Sequence, residues 1–273
     1  MDSIDKIFSY HLTFKKSLKL VTGLIAGYSL WFCMLILFLK WFNPPFTAFT
    51  MQETWGDHPF DYYSLRDNWV PADEIPEHVK LAVIASEDQR FNQHWGIDAK
   101  AIKKAINENQ QGGRIRGAST ITQQVAKNLF LTPAQSYLRK GIEAGIAVVI
   151  DLFWSKERIL EVYLNIAEFG PGMYGIATAT DFYYQISPSE LSPEQAARMA
   201  TVLPSPRRIE PEPASAYVIK RSKWILRNMQ QLSGRQYLPD TYEDALKLDS
   251  GIFDPSRLIG RVRLKDTLKL SHN

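Results

Sequence analysis

The chain has 273 residues, 45% of them hydrophobic and 22% charged, with a formal charge of +3. That length holds one anchor segment and a sizeable folded domain. The mild positive balance, with no basic block interleaved with aromatics, excludes nucleic acid as a main partner.

Residues 1–19 read as a short cytoplasmic tail and 20–42 as a transmembrane anchor. From Leu20 to Leu39 the run LVTGLIAGYSLWFCMLILFL carries no charged side chain. As a helix it would rise about 30 Å, the thickness of a bilayer's hydrocarbon core. It lacks the polar stripe of a core helix, so a span is favoured. It is also longer than a signal peptide's apolar core, and Asn43-Pro44-Pro45-Phe46 is a poor cleavage context. Lys6, Lys15, Lys16 and Lys19 precede the span, and after Lys40 no Lys or Arg occurs before Arg66. That asymmetry predicts a cytoplasmic amino terminus and an exported domain. The only cysteine, Cys33, lies inside the span, so the exported part is predicted to be free of disulfides.

Residues 43–75 form a connector rich in Pro, aromatics and Asp, and 76–234 the main domain. After Pro76, EHVKLAVIASEDQRF has apolar residues at helical spacing, with Gly96 as a stop. Glu87 follows LAVIAS without a break. It reads either as an ordinary exposed helix end or as a carboxylate held where ionisation is costly. His94 alone reads as a structural hydrogen-bonding residue.

The segment from Gly117 to Leu129 reads as a helix capped by Ser119, with Ile121, Val125 and Leu129 on one face. Thr120, Gln123, Gln124 and Lys127 occupy another. A solvent-facing surface helix is one reading. A donor-lined helix amino terminus suited to an anion is the other. In the next helix Arg139, Glu143, Ala147 and Asp151 share a face. Glu143 is open between an internal ion pair with Arg139 and a functional acid, whereas Asp151 is read as structural.

Thr132-Pro133-Ala134-Gln135, Ser187-Pro188-Ser189-Glu190 and Ser192-Pro193-Glu194-Gln195 each match a capping box with Pro at the first helical position. Alternating runs are scarce, so the fold class is mainly α. Beyond Gly234 an extension over 235–273 weakens in pattern. Its Arg257, Arg261, Arg263, Lys265 and Lys269 read as a solvated face, with lipid headgroups as the lesser alternative. No His/Cys/Asp cluster has metal-ligand spacing, and no Gly-x-Ser-x-Gly occurs.

Together these segments resemble the peptidoglycan glycosyltransferases of glycosyltransferase family 51, and among them the stand-alone, monofunctional form. The motifs occur in order. They are Trp69-Val70-Pro71, Glu87-Asp88-x-x-Phe91-x-x-His94-x-Gly96, Gly117-x-Ser119-Thr120-Ile121-Thr122-Gln123-Gln124-x-x-Lys127-Asn128, Arg139-Lys140-x-x-Glu143 and Ile159-Leu160-Glu161-x-Tyr163-Leu164-Asn165. Ordered motifs of this length are far more specific than a lone short pattern. Asp151 stands where the family usually has Glu, Ser205 where Asn is common, and Asp181-Phe182-Tyr183-Tyr184-Gln185 departs from a Tyr-Phe-Gly ending.

The resemblance implies a bilobed, lysozyme-like, mainly helical domain behind a single transmembrane helix. It implies polymerisation of lipid II into β-1,4-linked glycan, with inversion and release of undecaprenyl pyrophosphate. The chain is expected to lack a transpeptidase, and Ser3-Ile4-Asp5-Lys6, ahead of the span, is an accidental Ser-x-x-Lys. Glu87 would be the catalytic base, and Glu143 would orient cations or assist the departing group. Lys127, Arg139 and Lys140 would supply charge, with Ser119, Thr120, Gln123 and Gln124 as donors. Asp88, Phe91, His94 and Asn128 would shape the substrate site. No cofactor is required, although divalent Mg or Mn assists some relatives. The implied partners are lipid II, the growing strand, membrane lipid and other cell-wall or cell-division proteins. The implied location is the bacterial inner membrane. The rivals are a glycan-cleaving lysozyme or lytic transglycosylase, and a non-catalytic membrane-bound division partner.

Overall fold

The computed structural model describes residues 2–53, 65–110, 118–134 and 136–234, without the side chains of 2–15, 52–53 and 109–110. The extension over 235–273 with its cations, Gly117 and Gln135 lie outside the described residues. The expectation of a mainly helical chain holds among the described residues. The helices are α1 (Asp2–Phe38), α2 (Ala48–Glu53), α3 (Glu77–Glu87), α4 (Ala99–Gln110), α5 (Ile121–Phe130), α6 (Tyr137–Phe153), α7 (Lys156–Ile166), α8 (Ile176–Tyr184), α9 (Pro193–Val202) and α10 (Ala216–Ser233). One short antiparallel hairpin, β1 (Glu168–Gly170) with β2 (Met173–Tyr174), precedes α8.

Within α1 the stretch Lys16–Phe38 is long and apolar enough to cross a membrane, with a mean hydropathy of 2.0 and little of it buried. The helix stops at Phe38, short of the expected anchor end, and turns through Leu39–Phe42. This end is fastened to the domain. Arg158 donates to the Leu39 and Phe42 carbonyls and to Asn43 Oδ1, and Trp154 Nε1 donates to the Ile36 carbonyl. The indole thus takes up a carbonyl of the last turn that the helix leaves without a partner, and the guanidinium takes two of the turn just past it. Ile36 is fully buried, and Phe32 meets Phe130 edge-on.

The domain's helices gather in two groups around a common core. In one, α3, α9 and α10 pack together; in the other, α5 lies between α6 and α7, with α2 across it. Tyr163, Phe91, Phe169, Ile121, Ile150 and Ile159 are among the largest fully buried side chains.

Capping follows the sequence at some helix starts and not at others. Ser187 and Ser192 form the expected boxes with Glu190 and Gln195, although the first opens only a short 3₁₀ turn over Pro188–Glu190. Thr132-Pro133 does not start α6; Ser136 caps it instead, its Oγ accepting from Arg139 N at 3.1 Å. Gly96 is not a helix stop. Helix α3 already ends at Glu87, and Gly96 has φ +75°, where a Cβ would lie 2.5 Å from the Ala147 carbonyl oxygen. The glycine is needed because the loop runs directly onto α6.

Candidate active site

Helix α5 is the axis of the site. Its N-cap is Thr120, one residue later than expected, in a reciprocal box with Gln123: Thr120 Oγ1 accepts from Gln123 N, and Gln123 Oε1 from Thr120 N. Most of the helix is buried, and Gln124 and Lys127, one turn apart, lie on its more open strip. The surface-helix reading is therefore corrected. Thr120, Thr122 and Gln123 are buried where α6 and α7 pack on α5, and only Gln124 and Lys127 of the polar face stay partly open.

Glu87 is the last residue of α3. One oxygen accepts from Gln124 Nε2 at 2.9 Å and the other from Ser86 Oγ at 3.2 Å. Burial pushes the Glu87 carboxyl above the usual range. The Gln124 and Ser86 donors and the Arg221 charge from α10 oppose that rise, while neighbouring Asp88 adds to it. A carboxylate of raised affinity for protons, held by donors, suits the uptake of a proton better than an ordinary exposed glutamate does.

The second centre lies around Glu143, which is only 2% exposed. Arg139 Nη1 donates to its Oε2 at 2.7 Å, Lys140 Nζ pairs with its Oε1, and Lys140 also reaches Ser119 Oγ at 2.7 Å. Lys127 belongs to the same field. Burial lowers its proton affinity, Glu143 raises it, and Arg139 and Lys140 lower it again. The Lys127 ammonium lies 5.3 Å from the Phe49 ring centre and donates no hydrogen bond to a described residue. Lys127, Arg139 and Lys140 outnumber Glu143 by two positive charges, and Glu168, which Lys127 also feels, is paired with Arg207 at 2.9 Å. Such a cluster favours an anion. Glu87 and Glu143 do not touch. They are linked through α5, whose Gln124 bonds the first acid and whose Lys127 senses the second.

Other residues singled out from sequence build the frame. Both Asp88 oxygens lie 3.0 Å from His94 Nε2, and Oδ2 accepts from Ile121 N at the start of α5. Phe91 is buried, edge-on to His94 and beneath the Lys156 ammonium. Thr120 Oγ1 donates to the Gly96 carbonyl at 2.6 Å, and Asn128 is buried on α5. Asp151 accepts from Thr122 Oγ1 and Lys156 Nζ, the partners of a structural acid. Among the described residues no group of three or more His, Cys, Asp or Glu could hold a metal ion.

Three features were not assigned a role from sequence. Tyr163 Oη donates to Gln124 Oε1 at 3.1 Å, placing α7 behind the Glu87 contact. Arg221 Nη2 reaches the Ser86 carbonyl at 3.3 Å while stacking on Trp224. Asn165 holds both the N–H and the carbonyl of Val70, and Glu161 accepts from Trp69 Nε1, so the first and last motifs clasp each other. A tyrosine two residues before an asparagine in an apolar helix was a usable signal for the first. Nothing in the text around Arg221 marks the second.

The description "Transglycosylase" matches residues 57–230 of the chain as a family model. The chain is 48% identical over 217 residues to a biosynthetic peptidoglycan transglycosylase of Pseudomonas entomophila (strain L48), covering 77% of this chain and 91% of that protein. It is equally similar, over the same shares, to the like-named protein of Pseudomonas syringae pv. syringae (strain B728a). Over 209 residues it is 50% identical to that of Pseudomonas putida (strain W619), covering 75% and 87%.

Proposed function

The chain belongs to the transglycosylase family of biosynthetic peptidoglycan transglycosylases, and from that premise we propose how its own residues build glycan. It is a glycosyltransferase of bacterial cell-wall synthesis, with lipid II and the growing strand as substrates. Glu87 takes the proton from the 4-hydroxyl of the acceptor's N-acetylglucosamine as that oxygen attacks the donor's anomeric carbon. The new β-1,4 bond forms as the bond to lipid pyrophosphate breaks, with inversion and without a covalent enzyme intermediate. Base assistance of this kind is worth roughly 10²–10⁴-fold.

The pyrophosphate departs with increased negative charge, which Lys127, Arg139 and Lys140 stabilise, with Ser119 as a further donor. Glu143 acts by orienting Arg139 and Lys140, since it bonds both. Asp88, Phe91, His94, Thr120, Gln123 and Asn128 hold the frame in which those groups are presented. The leaving charge is assigned to side chains, so turnover persists after chelation, with Mg or Mn acting only as accelerators.

The single observation that carries this reading is an acid at the end of α3 held by Gln124 of α5, one helical turn from Lys127 in a cluster with excess positive charge. Purified full-length protein given labelled lipid II is expected to yield polymer and to leave preformed glycan uncut. Shortened glycan in place of polymer would establish a hydrolase instead.

The apolar stretch of α1 is compatible with a single-pass anchor. Its orientation, with the amino terminus cytoplasmic and the catalytic domain outside the inner membrane, rests on the lysine asymmetry. We extend the lipid contact to α6, which packs on α1 and exposes Tyr137, Leu138, Gly141, Ile142, Gly145, Val148, Leu152 and Phe153. That uncharged face is about 24 Å long. The Leu129-Phe130-Leu131 segment is less suited, because Leu129 is buried and Phe130 packs on Phe32. Association with other wall-synthesis or division proteins is proposed from shared location alone, and co-purification from membranes tests it.

A further inference from the structure

The Gln124 side chain has two ends, and the structure gives each a different partner. Nε2 donates to Glu87 Oε2 at 2.9 Å, and Oε1 accepts from Tyr163 Oη at 3.1 Å. An ionised carboxylate only accepts, so the amide must present nitrogen to Glu87 and oxygen to Tyr163. The phenol must then donate. Tyr163 is 1% exposed, and among the described residues its hydroxyl has no other hydrogen-bond partner. If the amide turned over, its oxygen would face the carboxylate, acceptor against acceptor, and would free the donor that favours the ionised form.

We propose that Tyr163 is a positioning residue for the reaction: its hydroxyl locks the Gln124 amide in the orientation that holds Glu87 ready as a base. The inference rests on the reading of Glu87 given above. It adds a residue that touches neither substrate nor the reacting atoms. Glu87 is also faced by Ser86 of its own helix, by Arg221 from α10 and by Asp88 beside it, so Tyr163 is one influence among several. Its phenol is pushed well above the usual range by burial and by the Glu87 charge, which keeps it a donor at every working pH.

The test is Tyr163→Phe in the full chain, which removes one oxygen and leaves the ring in the core. With lipid II in detergent, kcat is expected to fall about tenfold, or about 1.4 kcal/mol in the barrier, with KM unchanged. The acid limb of the kcat profile should move to higher pH. Added to Gln124→Ala, the substitution should cost nothing further, because both act through one chain of bonds. An independent readout is the infrared carboxyl band that disappears in Glu87→Gln, whose titration midpoint should rise in Tyr163→Phe. An unmoved midpoint, additive losses, or a rate loss matched by melting temperature with an unchanged pH profile would each overturn the proposal. A raised midpoint alongside a fully active Glu87→Gln would uphold the positioning while removing Glu87 as the base. An unmoved midpoint alongside an inactive Glu87→Gln would do the reverse.

Discussion

Glu87 is held where its charge is costly, and stability and activity respond to that in opposite directions. Its proton affinity is raised in the folded state, chiefly by burial. The folded chain therefore binds more protons than the unfolded chain between the ordinary glutamate range and the raised value. Stability is lost as pH climbs through that window. Glu87→Gln should remove this penalty, so its melting temperature should exceed that of the parent at neutral pH and match it in acid. Lipid II turnover should fall by roughly 10²–10⁴-fold. Thermal melts across pH, run beside the activity assay, check both halves. Lys127 gives the alkaline counterpart. Burial lowers its proton affinity more than Glu143 restores it, so its charge is lost at lower pH than an ordinary lysine's. The alkaline limb of the rate profile should move to higher pH in Lys127→Arg, because a guanidinium does not titrate there. The residues at both centres were legible from their motifs. Tyr163 stands in one of those motifs too, but its bond to Gln124 was not legible, because the two lie 39 positions apart on different helices.

At the level of elements, α5 and the joint at the end of α1 decide the geometry. The text of α5 gave its apolar face and its donors, but a run of Thr and Gln looks alike on a surface and inside a polar frame. Only the approach of α6 and α7, a long-range contact, distinguishes them. The cap positions slipped for the same reason: Ser119 is drawn to Lys140, leaving Thr120 to cap α5. The joint has no sequence signature at all. Arg158 pairs with Glu161 at 2.9 Å, lies over Trp69 and Trp154, and binds carbonyls at the end of α1. Arg158→Ala leaves Glu161 without that cation in a mostly buried position, at a cost of about 3 kcal/mol in stability. A melt in detergent measures this. If α1 is the anchor proposed above, polymerisation in bilayers should fall further than in detergent, because the loosened joint would no longer hold the site at a fixed attitude to α1.

For the whole molecule, the anchor proposed for α1 matters because both proposed substrates carry lipid tails. Tethering the site beside the bilayer replaces a search through solution with a local one. If α6 also rests on lipid, its exposed face adds a second contact rather than a cost. Leu138→Ser with Ile142→Ser and Leu152→Ser should weaken turnover of lipid II in vesicles several-fold and leave turnover in detergent unchanged. An equal loss in both would instead indicate damage to the fold. The most direct measurement is polymerisation of purified lipid II by the full chain and by Glu87→Gln at equal concentration. Long glycan from the parent, with essentially none from the folded variant, is the predicted result. Equal polymer from both would contradict the assignment of proton removal to Glu87.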